Sequence, residues 1–408
     1  MTIDVAIVGG GIAGSALAAH LARAGREVVV FERASGYRWR AGGVFTSPAS
    51  VAALRRLGLD DAVLAQAARP IPAMRVETPG GAAFRLTYGD DGSLRAPAVG
   101  LDRSALDPAL LDLAASAGAD VRRGVSVASV RRADRAGSSF ELVLGGPAAA
   151  RPADVARLVV GADGIHSQVA RSLGVSRPAR FGSRTALTFH LADPAPDEPR
   201  DARMRVLRDG YVGIAPVPLG RVNVGIVLGP SWRSALHGDG AEQLAQRIVE
   251  GIPATAADPA TWRTGPRTDA VEGASPIGHR VSHSAGPGWF LVGDAAGFLD
   301  PFTGEGIHRA LISAELAADA IDDLRAGRRS AAGAARRYER AMGARFRAKD
   351  WVSSLVQVFL GRPALFEYAA RRLAGRSGPR DTIGLVMGDL IPAGRGLDPR
   401  FLAALLAP

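Results

Sequence analysis

Four short stretches of this chain combine residue types that could do chemistry together. The stretch GDAAGFLDPFTGEG, residues 293–306, sets Asp294 and Pro301 among glycines. It lies between an apolar run, Trp289 to Val292, and a helical pattern that begins near Ile307. A loop so poor in side chains lets a flat or phosphorylated ligand approach the backbone. A second stretch, GGGIAG at 9–14, is a G-x-G-x-x-G containing Gly9, Gly11, Ala13 and Gly14. Alone it is weak, because with 50 glycines in 408 residues about one such match arises by chance. Its setting strengthens it: the motif follows a strand pattern and opens a helical one. Gly9 permits the tight turn, Gly11 lets a pyrophosphate come close, and Gly14 lets helix and strand pack tightly. The helix N-terminus adds free N–H groups and the positive end of its dipole. Glu32 ends the next strand, 18 residues after Gly14. A carboxylate there accepts hydrogen bonds from an adenosine ribose and repels a 2′-phosphate, which favours FAD or NAD over NADP. A simple NAD enzyme needs only this unit. This chain adds YRWRAGG at 37–43, with Arg38 and Arg40, then GADG at 161–164, then the loop around Asp294.

These stretches need elements to position them. IDVAIV at 3–8 reads as a buried strand, Ser15 to Ala24 as a helix stopped by Gly25, and EVVVF at 27–31 as a second strand. This βαβ opening implies a parallel sheet. Helices are expected over 48–57 and 104–117, a small β-element over 121–130 and 140–144, and a buried strand over 157–160 that runs into GADG. The middle of the chain changes character. Residues 185–191, 204–208, 211–217 and 222–228 read as antiparallel strands, with Asp209-Gly210 as a tight turn. Strand, loop and helix return after residue 270, and the last eighty residues are mostly helical. The expected fold class is α/β. A discontinuous Rossmann-like FAD-binding domain takes 1–75, 96–175 and 270–328. An inserted antiparallel β-sheet substrate domain takes 76–95 and 176–269, and a helical C-terminal region takes 329–408.

At 408 residues and 47% hydrophobic content, the chain can bury two cores that share an interface. It has no cysteine, which excludes disulfides, thiolate metal sites, cysteine nucleophiles and redox dithiols. No metal is expected. The apolar N-terminus lacks a basic leader region, carrying Asp4 instead, and no apolar run is long enough to span a bilayer. A soluble cytoplasmic protein without stable membrane insertion is expected. The net charge is +10, and 14 Lys/Arg against 3 Asp/Glu fall between Arg325 and Arg380. That run reads as a solvated helical face. Without aromatic-interleaved basic motifs, nucleic acid is not an expected partner.

GGGIAG, Glu32-Arg33, GADGIHSQVAR at 161–171 and GDAAGFLDPFTGEG occur in an order and spacing that carry a family resemblance. From Thr2 to about Asp323 the chain resembles the flavoprotein monooxygenases related to para-hydroxybenzoate hydroxylase, and the neighbouring geranylgeranyl-reductase group. The resemblance implies FAD as cofactor, and it implies roles. Gly9, Gly11 and Gly14 would hold the pyrophosphate, with Ala13 also at the cofactor, Glu32 on the ribose, and Arg33 and Val127 by the adenine. Arg40, followed by Gly42 and Gly43, resembles the arginine that reaches FAD in the hydroxylase branch. Arg103, in LDRSAL, resembles one near the flavin phosphates. Asp163 would order the FAD loop and the nicotinamide path. Gly293 and Asp294 would meet the ribitol, and Pro301 would shape a loop beside the isoalloxazine. Gly304, Gly306 and Ile307 would bring N–H groups and a helix N-terminus to the N1–C2=O edge, which becomes negative on reduction.

Related chemistries divide on further residues. Halogenases of similar fold need a catalytic lysine and a Trp-x-Trp-x-Ile-Pro segment. Here the matching segment is GYVGIAP at 210–216, and the one lysine, Lys349, lies in the C-terminal helices, so halogenation is not expected. Reductases of the group often carry a cysteine motif where this chain has AGGVFTSP at 41–48. Yet GFLDPFTGEGI, VNVGI at 222–226 and MGDLIP at 387–392 resemble that branch. Residues 40–59, RAGGVFTSPASVAALRRLGL, fit the hydroxylases. The expected function is a single-component monooxygenase of secondary metabolism. In it NADPH-reduced FAD activates O2 at flavin C4a to hydroxylate or epoxidise an apolar or aromatic small molecule. The alternative is an FAD-dependent reductase of C=C bonds in an isoprenoid-like or polyketide substrate. An alternative of another class is an electron-transfer flavoprotein partner acting through the arginine-rich surface. His190 and Tyr211, on strands of the substrate domain, are the candidates for a catalytic base. His308 is expected as a surface residue at a helix start, and His166 as the organiser of its loop. With no second nucleotide motif, NADPH would dock transiently in the shared cleft. The strands that would line the pocket carry few charges, which fits an apolar substrate.

Overall fold

The computed structural model describes residues 2–88, 97–133, 139–179, 183–253 and 265–406. Residues 89–95, 180–182 and 254–264 of the expected inserted domain lie outside them. Thr2–Val8, buried at every position but the first, is central in an eight-stranded sheet. It runs parallel to Asp154–Gly161 on one side and to Val28–Glu32 on the other. Trp289–Leu291 adds in parallel beyond Asp154–Gly161, and Asp120–Arg123 beyond Val28–Glu32. Strands buried on both faces are continuous apolar runs, as in VVVF at 28–31 and LVVG at 158–161. Parallel pairing has a consequence for the site. The turns that follow Val8, Gly161 and Leu291, together with Glu32, all fall along one edge of the sheet.

The expected strand over 121–130 divides at Gly124, whose φ of 74° turns the chain. Ser126–Arg132 then returns antiparallel to Phe140–Gly145. The helices expected early in the chain are present as Ile12–Arg23, Pro48–Arg56 and Arg103–Ser116.

The second sheet has seven strands, ordered Glu272–Ile277, Arg184–Ala192, Arg221–Leu228, Gly210–Val217, Ala202–Leu207, Ala73–Glu77 and Ala83–Thr87. It extends past the expected intervals at both ends. Ala73–Glu77 joins by parallel pairing with Ala202–Leu207, and Glu272–Ile277 by antiparallel pairing with Arg184–Ala192. Alternation gives the sheet two different faces. Phe189, Ile214, Val224 and Ile226 pack under the helix Arg233–Glu250, against Leu244 and Ile248. The opposite face carries Tyr211, Ala215 and Val227 into a core shared with Leu360, Phe366 and Leu373 of the C-terminal helices. Thr188, His190, Asn223, Gly213 and Gly225 have the same strand parity as that second set. A small third sheet, Phe45–Thr46, Ala98–Leu101 and Ala68–Ile71, packs against it. A side chain at Gly100 would strike the Pro216 carbonyl.

Gly306–Arg325 lies against Ile12–Arg23 in the main core. Four further helices follow: Ala331–Leu360, Pro363–Gly375, Ser377–Met387 and Pro399–Leu406. Their arginines are more engaged than a plain solvated face. Arg325 pairs with Asp4, while Arg328, Arg329 and Arg337 converge on Asp323. Among the described residues, no helix is long and apolar enough to cross a membrane.

Candidate functional site

The turn after the first strand is built by mutual exclusion. Gly9 has φ of 105°, and a Cβ there would collide with the Ala162 carbonyl; one at Gly14 would collide with the Gly9 carbonyl. At Gly11 nothing lies within 4 Å of a would-be Cβ, so this corner is open to a ligand. Ala13 and Ile12 are buried beneath it. Glu32 is buried at the end of the second strand. Its Oε2 accepts from the Gly10 N–H at 2.8 Å and its Oε1 from the Ala34 N–H at 2.9 Å. Arg40 approaches the same carboxylate at 3.5 Å. Arg33 is exposed, and Val127 is buried on the antiparallel extension of the sheet.

GADG follows the neighbouring strand and leans on Gly9. The Oδ2 of Asp163 accepts from the Gln168 and Val169 N–H groups at 2.6 and 3.1 Å. Its Oδ1 is buried with no hydrogen-bond partner. Asp163 therefore orders this loop; His166, expected in that role, is exposed.

The third turn meets the first directly. Gly293 has φ of 57°, donates its N–H to Ser313 Oγ at 2.8 Å, and would place a Cβ 2.8 Å from that of Ala13. Asp294 beside it is partly open to the cleft yet deep enough that burial raises its carboxyl to about 6, opposed by Arg103 and Arg309. Arg103 holds Asp107 at 2.6 Å and the Gly43 carbonyl at 3.0 Å, tying the Gly42-Gly43 segment to this side of the site. Pro301 starts a single 3-10 turn that ends at Gly304, where φ is 65° and a Cβ would strike the Phe45 ring at 2.6 Å. Gly306 opens the next helix near Asp294 Oδ1, and Ile307 anchors it in the main core. His279, which carries no signal in the sequence, supports the loop by a 3.1 Å contact with the Ala295 carbonyl.

Behind this loop is a buried polar cluster. His308 is 3% exposed rather than a surface residue. Burial lowers it to about 4, and its Nε2 lies 2.7 Å from Arg345. The two elements that cover it, Gly306–Arg325 and Ala331–Leu360, pack face to face. Lys349 donates to the Val386 carbonyl at 2.7 Å and to Asp389 at 2.9 Å, and lies 3.9 Å from Glu305. Ser353 donates to Glu305 at 2.8 Å. The lysine is thus engaged within the protein. Its place was hidden because Phe346, Lys349, Ser353 and Gln357 form one buried helical stripe on which a lysine is out of character.

On the facing sheet, His190 is buried. Its Nδ1 lies 2.6 Å from Asp269, its Nε2 lies 3.3 Å from the Asn223 amide, and its ring is 4.4 Å from that of Trp39. Burial lowers its pKa, with Asp269 opposing. Tyr211 donates to Asp300 Oδ1 at 2.6 Å, and burial holds its phenol well above the usual value. Asp300 also accepts from the Phe302 N–H at 3.0 Å and from Arg184 at 2.7 Å. His190 and Tyr211 lie on the same face of the second sheet, and the polar atoms of both are already engaged.

The residues fit FAD. The space above Gly11 suits a pyrophosphate, and the partnerless Asp163 Oδ1 and the desolvated Asp294 are acceptors that hydroxyl or water donors would satisfy. An edge so equipped, with a second acid-bearing loop that a plain dinucleotide fold does not need, defines an FAD-dependent oxidoreductase. The chain belongs to the family described as FAD binding domain, matched over residues 2–333. It is 32% identical to the menaquinone reductase of Mycolicibacterium smegmatis over 78% of this chain and 75% of that protein. It is 31% identical to digeranylgeranylglycerophospholipid reductase 2 of Methanothermobacter thermautotrophicus, over 80% of each chain. It is 30% identical to the 3-demethoxyubiquinol 3-hydroxylase of Escherichia coli, over 75% of this chain and 76% of that one. A solved flavoprotein/dehydrogenase from Cytophaga hutchinsonii shares the fold, with a TM-score of 0.82 and 20% identity over 99% of this chain and 95% of that one.

Proposed function

We propose that this protein reduces C=C bonds in a lipophilic, isoprenoid-bearing molecule, with NADPH as the electron source. The observation that carries this reading is the character of the face opposite the FAD loops. Trp39, Phe45, Phe298 and Phe302, from segments on the FAD side, are partly exposed apolar side chains packed against the core of that facing sheet. Its two titratable candidates, His190 and Tyr211, are bound to Asp269, Asn223 and Asp300. Such a surface orients an apolar chain and excludes water, and neither of these two candidates is unengaged and ready to activate a phenol. FAD bound in the cradle supplies the electron pair. Gly9, Gly11, Gly14, Glu32, Arg40, Arg103, Asp163 and Asp294 would hold it, and the helix beginning at Gly306 would face its N1–C2=O edge. The inserted sheet is then the substrate-binding unit. Relatives above 30% identity include proteins named as reductases, of menaquinone and of a digeranylgeranyl lipid, which supports this reading over the next.

Monooxygenation of a similar molecule is the second reading. It is favoured by the hydroxylase-like segment 40–59 and by the likeness to a ubiquinol-precursor hydroxylase. Incubation of the FAD-loaded protein with NADPH and menaquinone or geranylgeraniol, with and without O2, separates the two. Reduction predicts product that has gained two hydrogens across a C=C bond of the isoprenoid chain, retained after the quinol is reoxidised, and formed equally well without O2. Product that has gained an oxygen atom, formed only with O2, would replace the first reading by the second.

A further inference from the structure

Most glycines inside the strands have a protein reason. Side chains at Gly100 and Gly210 would collide with backbone, and one at Gly161 would meet Leu291 and Val169. Gly213 and Gly225 have none. They sit directly opposite each other in the middle of the second sheet. Neither has φ in the left-handed region. A Cβ at Gly225 would find only the Gly213 carbonyl, at 3.9 Å; one at Gly213 would find Met204 at 3.6 Å in ordinary contact. Both are partly exposed, while the residues on either side of each are buried. Glycine weakens a strand interior, and where backbone geometry and packing do not require it, it marks close approach by something else.

We infer that Gly213 and Gly225 floor a trough that seats the methyl-branched chain of the substrate, and that they set chain selectivity; this rests on the reading of the protein as acting on an isoprenoid. The register gives the trough its shape. Thr188, Gly225, Gly213 and Met204 form one row across four strands, about 14 Å from end to end. One adjoining row carries His190, Asn223 and Ala215, and the other Ala186, Val227 and Tyr211. The groove between them is therefore about 7 Å wide, one residue row, so it is longer than broad and suits a chain better than a fused ring lying flat. Its floor is peptide whose hydrogen bonds are spent between strands, which makes it acceptable to hydrocarbon. One end is polar, at Thr188, whose Oγ1 accepts from the Asn223 amide at 3.1 Å. The other is closed by the adaptable thioether of Met204, which is buried in the core shared with the C-terminal helices. The polarity fits an amphiphile with its head toward Thr188 and its tail toward Met204.

The test is binding of geranylgeraniol, with menadione as a ring lacking the chain, to FAD-loaded wild type, G225A and G225V. Geranylgeraniol affinity is expected to fall several-fold in G225A and at least tenfold in G225V, with FAD affinity and menadione binding unchanged. Equal geranylgeraniol affinity in wild type and G225V would overturn the trough, as would a wild type that binds menadione but not geranylgeraniol. Because the chain has no cysteine, G225C gives a second, independent reading. Its lone thiol should react with N-ethylmaleimide, and geranylgeraniol should slow that reaction at least fivefold; no protection would again overturn the proposal. Binding and protection without any reduced product would keep the trough and remove the reductase reading. Reduction of geranylgeraniol that survives G225V undiminished would do the reverse.

Discussion

Before any ligand arrives, the fold disfavours a charge on Asp294. Its carboxyl is held at about 6, against 3.8 in an ordinary setting, mainly because burial removes water from the charged form. Between those two values the folded apoprotein keeps a proton that the unfolded chain releases. This contribution to stability is therefore full below the lower value, declines as pH rises to about 6, and is flat beyond. Allowing for partial opening to the cleft, the decline is on the order of 1–2 kcal/mol. D294N cannot titrate. The melting point of the apo variant should rise relative to wild type from pH 4 to pH 6, and FAD should bind about tenfold or more weakly to it. A melting difference that does not change with pH would refute the assignment. Asp294 was legible because an acid among glycines after a strand has few other uses. His308 was not, because its environment is made by Arg345 and Lys349 from a helix that local pattern cannot place beside it.

At the scale of elements, the helix Ala331–Leu360 acts as a brace behind the loop that would face the flavin. Lys349 and Ser353 both reach Glu305, which stands between Gly304 and Gly306. K349M would leave Asp389 and Glu305 buried without their cation. Breaking one side of such a pair costs about 3–5 kcal/mol. Thermal or urea unfolding should show a loss of that order. K349M/D389N should recover part of it, and Asn suits Asp389's φ of 58°. A single variant as stable as wild type would show that the lysine is dispensable there. The four strands read from residues 185–228 are present, because alternation and the Asp209-Gly210 turn are local signals. Ala73–Glu77 and Glu272–Ile277 escaped notice because their pairing depends on partners far along the chain, Ala202–Leu207 and Arg184–Ala192.

Across the whole molecule, the C-terminal helices complete the second sheet rather than append to it. Leu360, Phe366 and Leu373 cover Phe84, Leu86 and Met204, and Tyr338 donates to the Leu291 carbonyl at 2.6 Å. A chain ending at residue 330 should leave that apolar face bare. It should be recovered mostly in the insoluble fraction, or bind a hydrophobic dye strongly if soluble. A well-behaved, FAD-binding product of that length would contradict this view of the region. The parallel order of the first sheet has a temporal side as well. The opening strand waits for residues 154–161 to gain its second neighbour, and the turn at Gly9 to Gly14 waits for Gly293 to meet Ala13. At roughly 5–20 residues per second, a ribosome needs roughly 15 to 60 seconds to reach residue 306. Through that interval the nucleotide-binding turn is made but only half walled, so loading of the cofactor belongs to the closing stage of synthesis.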